Sequence, residues 1–176
     1  MIEPIKIIQT KAFARQDGAI LGAAWITGFL CAMHSIEYPI LSVINNMLTI
    51  CTPFIVAFRL RSFRDGATEG IISYRRALAY CVLTFFYATL LLTAVQFVWF
   101  KWFDGGVFVN TQVLPVYEAA FKAYQIPESE SSTIIETVNG MTPASWASFF
   151  MMTEMMLGII VSFPIAAIMK KDIQQN

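Results

Sequence analysis

Charge is what this sequence has least of. Asp, Glu, Lys and Arg make up 14% of its 176 residues and cancel to a formal net charge of zero, whereas ordinary soluble domains are about 25% charged. A water-soluble chain could hardly cover its surface with so few charges. No basic footprint exists either, so nucleic acid is not an expected partner. Histidine occurs once, at His34, which leaves histidine-based acid–base chemistry without a second group. Cys31, Cys51 and Cys81 are odd in number, lack a C-x-x-C spacing and fall in separate apolar segments. They read as small apolar filler rather than a disulfide framework or a zinc site. A nucleophile triad, a Walker loop, a metal-ligand cluster and a glycosyl-transfer acid pair are all missing, as are tandem repeats. The expectation is a protein with no enzymatic activity, cofactor or metal of its own.

What fills the space is apolar sequence. Hydrophobic residues reach 57% and mean hydropathy is +0.60. Crossing a hydrocarbon core takes about 20 apolar residues in a helix. Four runs qualify: about 18–36, 39–58, 77–100 and 143–169. The first follows Lys6, Lys11 and Arg15, is too long for a cleavable signal and is followed at once by a second run, so it reads as a retained signal anchor. The connection between the first two runs is short enough to force an antiparallel pair. Thr142-Pro143 forms an N-cap followed by a proline at the first helical position. Trp99, Lys101 and Trp102 resemble an interfacial belt. The fold expected is an all-α membrane protein, a single four-transmembrane-helix bundle spanning residues 1–176.

Orientation follows from the twelve Lys and Arg residues. Lys6, Lys11, Arg15, Arg59, Arg61, Arg64, Arg75, Arg76, Lys170 and Lys171 fall on one side of the four spans. Only Lys101 and Lys122 fall on the other. Positive residues stay cytoplasmic, so both termini are expected inside, in a multi-pass membrane protein. Residues 104–142 then form an acidic outer loop. Leu114, Tyr117, Phe121 and Tyr124 recur at helical spacing there, with Pro115 in the first turn, and Ser129–Val138 forms a second short helix.

A few residues stand apart from this plan. Glu154 falls near the middle of the fourth run, where a carboxylate costs at least about 2.5–3.5 kcal/mol to insert. Thr27, Thr52, Tyr87 and Thr89 fall at similar depth and complete a candidate intramembrane polar site. It could serve as a proton or cation site, or simply join helices by hydrogen bonds. His34, Glu37, Asn45, Asn46 and Gln96 form a candidate outer vestibule, or else polar groups reaching interfacial water. Arg59, Arg61, Arg64, Arg75 and Arg76 are expected to hold topology and contact anionic headgroups of the lipid bilayer. Gly18-x-x-x-Gly22 and Ala24-x-x-x-Gly28 are small-residue faces for close helix packing, within the chain or in a dimer.

Three segments carry a resemblance. They are Phe63-Arg64-Asp65-Gly66…Glu69-Gly70-Ile71-Ile72-Ser73-Tyr74-Arg75-Arg76-Ala77, Phe100…Phe103-Asp104-Gly105-Gly106, and Ser162-Phe163-Pro164-Ile165-Ala166-Ala167-Ile168-Met169-Lys170-Lys171. Together they resemble the four-helix inner-membrane proteins of Bacteroidetes known as domain of unknown function 4199. The resemblance implies no catalytic residue. Members are often encoded beside polyprenyl-phosphate glycosyltransferases, which implies an accessory subunit that anchors or regulates a membrane partner, or else a homo-oligomer. The alternative from the residues themselves is a small proton, ion or lipid transporter or channel that uses Glu154.

Overall fold

The computed structural model describes residues 4–171. Among them are six α-helices: α1 (Pro4–Met33), α2 (Ile40–Ala67), α3 (Tyr74–Trp102), α4 (Leu114–Tyr124), α5 (Glu128–Asn139) and α6 (Pro143–Met169). A π-helical turn, Val109–Val113, precedes α4. The helices divide between two compact units. One holds the residues up to Leu92 and those from Met151 onward; the other is Thr93–Phe150.

Among the described residues three helices are long and apolar enough to cross a membrane: α2, α3 and α6. These make the chain a membrane protein. The expected first span is not among them, for a physical reason. The apolar part of α1 runs only from Gly18 to Met33, roughly 24 Å of helix at 1.5 Å per residue, and it is preceded by Arg15 and Asp17.

The first unit packs its helices in constant register. Along α1 and α2, Gln9 Nε2 donates to the Ala67 carbonyl (3.1 Å), Arg59 Nε donates to Asp17 (2.6 Å) and Trp25 Nε1 donates to Thr52 (2.9 Å). Each step up α1 is a step back down α2, so the two run antiparallel. Thr10, Gly18 and Gly22 of α1 meet Arg76, Thr84 and Ala88 of α3 in turn, so that pair runs parallel. The Gly18/Gly22 face is therefore used inside the chain. A Cβ on Gly18 would lie 2.6 Å from Tyr87 Cβ and 2.8 Å from the Thr84 carbonyl. Gly28 instead turns to α2, against Asn45 and Leu48. On α6, Gly158 lets the helix close onto Phe85, to which a Cβ would come within 2.7 Å. The core between the helices includes Leu21, Val56, Leu60, Phe63, Tyr80 and Phe85, all fully buried.

Two connections close this unit at one end. Glu69 (φ 55°) and Gly70 (φ 76°) take the left-handed turn after α2. Ile72 then exchanges a pair of 3.0 Å backbone hydrogen bonds with Lys171 beyond α6. Arg64 Nη1 donates to the Met169 carbonyl at 3.1 Å, capping a helix end whose last carbonyls need donors.

The second unit is built on aromatic packing. Phe100 stacks on Phe150 with centroids 6.0 Å apart, and Phe108 meets Trp146 edge-on at 5.4 Å. Gly105 (φ 54°) and Gly106 (φ 86°) are consecutive left-handed residues, a conformation that is cheap only for glycine. They wrap the chain around the Asp104 carboxylate, which accepts the Gly106 N–H (3.0 Å) and the Phe108 N–H (2.9 Å). Thr142 Oγ1 accepts the Ser145 N–H at 3.1 Å and so caps α6. The expected helices of the 104–142 segment form as α4 and α5, yet α4 buries none of its residues fully. Lys101 lies over Trp102, 4.6 Å from its ring centre.

Candidate functional site

The most heavily engaged polar cluster joins α1, α2 and α3. Asp17, only 1% exposed, accepts both Nε and Nη2 of Arg59 on Oδ1 and the Tyr80 hydroxyl on Oδ2. Tyr80 stacks on Phe63 with centroids 4.9 Å apart. Arg76 lies over the Phe63 ring, 5.3 Å from its centre. Its Nη2 donates to Gln9 Oε1 at 2.6 Å and its Nε to Thr10 at 3.1 Å. Helix spacing explains the convergence. Asp17 directly precedes Gly18 and stands one turn before the buried Leu21 of α1. Phe63 is one turn beyond Arg59, and Tyr80 one turn beyond Arg76. A carboxylate with both oxygens taken by fixed partners is unsuited to act as a base toward a substrate. Its chemistry is that of a lock: a desolvated ion pair holding three helices in one register.

Sequence reasoning passed over Asp17 because it stands one residue outside the first apolar run. The signal was present in the helical hairpin. Asp17 and Arg59 are nearly equidistant from the turn at Ser35–Tyr38, so antiparallel helices of equal rise must bring them level.

The five arginines part company in the structure. Arg59, Arg64 and Arg76 turn inward to the partners described above, whereas Arg61 and Arg75 are exposed. Arg61 pairs with Asp65, at 3.6 Å.

The expected intramembrane polar site is brought together in part. Phe85 against Gly158 sets the register of α3 and α6, and that register places Thr89 level with Glu154. The α1–α2 register brings Thr52 to the same level, with Trp25 as its partner. Thr52 and Thr89 are buried and Glu154 is half-buried. Thr27 is turned outward and donates to the Ala23 carbonyl of its own helix at 3.0 Å. Tyr87 is half-buried beside Gly18, nearer the Asp17 end.

The expected vestibule is not assembled within the first unit. His34 and Glu37 are exposed in the turn after α1, with His34 Nδ1 3.0 Å from the Leu30 carbonyl. Asn45 faces Gly28, and Asn46, about 100° further round the helix, is exposed. Gln96 is buried in the second unit. Among the described residues no three His, Cys, Asp or Glu side chains converge in a way that could hold a metal ion.

A family model for proteins of unknown function, DUF4199, matches residues 16–171. The chain belongs to this family. The segments that carried the resemblance fall on structural joints of the DUF4199 chain: the Arg64–Met169 and Ile72–Lys171 contacts in one unit and the Asp104–Gly106 loop in the other. No curated protein and no solved structure matches it.

Proposed function

We propose that this DUF4199 protein is a non-enzymatic subunit of the bacterial inner membrane that anchors or regulates a membrane partner. The family resemblance favours a polyprenyl-phosphate glycosyltransferase as that partner. The observation that carries the reading is Asn46. Its amide is exposed in the apolar run of α2, on a face it shares with the exposed Val43, Met47, Ile50 and Phe54. Lipid chains offer an amide no hydrogen bond, whereas a helix of another chain does, and asparagine is among the residues that join membrane helices.

In this reading α1 is the fourth span and both termini are cytoplasmic. The parallel packing of α1 on α3 supports it. So does the Asp17–Arg59 pair, which neutralises the charge where the apolar part of α1 begins. A photo-crosslinker at position 46 in native membranes tests the proposal. A stoichiometric adduct with a glycosyltransferase, lost on Asn46→Leu in co-purification, is expected. Labelling of lipid alone would sink it, and an adduct with a second copy of this chain would replace the partner by a homo-oligomer.

One observation favours a second reading, a proton or ion pathway: Glu154, Thr89 and Thr52 stand at one level of the first unit. Glu154-dependent flux in liposomes, abolished in Glu154→Gln, would select it over the subunit reading. Unchanged flux in that variant would dismiss it.

A further inference from the structure

The second unit contains a cavity of about 340 Å³, within the range of small-molecule sites. Its walls divide by chemistry. Phe100, Trp146 and Met141 supply apolar surface, and Asp104, Asn110 and Asn139 supply polar atoms. Lys, Arg and His are all missing from its lining.

The polar wall is led by a fixed carboxylate, with the two carboxamides of Asn110 and Asn139 beside it. Asp104 is 8% exposed, and each of its oxygens holds one backbone N–H, from Gly106 and Phe108. Those bonds fix the carboxylate and leave each oxygen a second lone-pair direction. Asn110 gives one of its two Nδ2 hydrogens to the Gly106 carbonyl, at 2.9 Å, and keeps Oδ1 as an acceptor. The charge of the whole unit adds to this. Asp104, Glu118, Glu128, Glu130 and Glu136 outnumber Lys101 and Lys122, for a net charge of −3 over 93–150. A pocket with a fixed anion, surplus acceptors and aromatic walls suits a group that is cationic, rich in N–H donors and carried on a short alkyl stem.

We propose that this cavity binds a primary alkylammonium group, the chemistry of an ethanolamine headgroup or of a free amine. The ammonium donates to Asp104 and Asn110, and its methylenes lie against Phe100 and Trp146. Asn139 closes the polar side.

Calorimetry on the full chain in detergent micelles tests this with two probes of one shape, propylammonium chloride and 1-propanol. Propylammonium should bind at least tenfold more tightly than the alcohol. Asp104→Asn and Asn139→Lys should each weaken the ammonium at least tenfold and leave the alcohol unchanged. Asn139→Lys places a cation at the wall without touching the Asp104 loop bonds. Equal binding of the two probes to the wild-type chain overturns the proposal, and that comparison needs no variant to fold. Wild-type affinity for propylammonium in Asn139→Lys overturns it as well. Nanodiscs then separate the sources. Loss of propylammonium binding when phosphatidylethanolamine joins phosphatidylcholine identifies the headgroup, and retained binding identifies a free amine; either upholds the ammonium chemistry.

Discussion

Removing Asp17 should cost this protein more stability than the loss of any one apolar contact. Asp17→Leu leaves the Arg59 guanidinium without its counter-charge and the Tyr80 hydroxyl without its acceptor. Breaking a buried ion pair from one side costs about 3–5 kcal/mol. The Arg59 side chain is 29% exposed, so it can still reach water, and the lower end, about 3 kcal/mol, applies here. The orphaned hydroxyl adds about 1 kcal/mol. The sum for Asp17→Leu is about 4 kcal/mol.

Arg59→Met strands the carboxylate instead, which has no route to water, and should cost a similar amount. The double variant Asp17→Leu/Arg59→Met removes both charges and keeps the volume apolar. It should cost only about 1–2 kcal/mol, mostly from Tyr80. The coupling energy between the two sites is therefore about 6 kcal/mol, well beyond the few tenths expected of independent sites. Unfolding of the detergent-solubilised chain in graded SDS, followed by far-UV circular dichroism, measures all four proteins. Single variants costing under about 1 kcal/mol each, or a double variant as costly as the two singles together, would refute the account of this cluster as a desolvated pair.

Two glycine pairs give further tests in the same assay. Gly18→Ala should destabilise more than Gly158→Ala: the Gly18 methyl meets a backbone carbonyl as well as a Cβ, whereas the Gly158 methyl meets the Cβ and ring of Phe85 and no backbone atom; overpacking of this kind costs about 1–3 kcal/mol. In the connection after α2, Gly66 and Gly70 both have open space around them, but Gly66 is helical and Gly70 sits at φ 76°. Gly66→Ala should therefore stabilise by about 0.5–1 kcal/mol and Gly70→Ala destabilise by about 1–2 kcal/mol. Equal effects at the two positions would deny the left-handed turn.

The sequence shows most clearly the features that depend on local chemistry. The fourth apolar run, 143–169, coincides with α6 because Thr142 caps it and proline starts it. The short helices α4 and α5 follow from apolar spacing and the break at Ile126-Pro127. Hydropathy marks where lipid can lie and not where helical hydrogen bonding stops, so α1, α2 and α3 all run past their apolar limits. α1 begins at Pro4, far ahead of Gly18. The π turn at Val109–Val113 had no hydropathic signature. Its cause is Pro115, which brings no N–H to the Thr111 carbonyl one turn back and crowds it. Tertiary pairing was the least legible level. Thr27 and Thr52 look alike in sequence, yet one bonds its own helix and the other receives Trp25 from a neighbour. Asn45 and Asn46 are adjacent, and one side-chain step separates a packed face from an exposed one.

The arginines at the end of α2 and the start of α3 serve both orientation and packing. Positive residues set topology during insertion, but Arg59, Arg64 and Arg76 also bind Asp17, the Met169 carbonyl and Gln9 once the helices meet. Reversing those three charges would disturb insertion and packing together, and a misplaced terminus could then be blamed on either. Arg61 and Arg75 are exposed, so their charge can act on topology with little effect on packing. Exposed charges of this kind contribute about 0–1 kcal/mol to stability. Reversal at these two positions therefore isolates the electrostatic part of orientation. A cysteine near Glu128 reports the outcome: labelling from the periplasm in the parent chain, with a lysis-dependent fraction in Arg61→Glu/Arg75→Glu at unchanged unfolding midpoint. Labelling that required lysis in the parent would reverse the assigned orientation. An unfolding free energy lowered by several kcal/mol in the double variant would mean that the two arginines bind inside the fold after all.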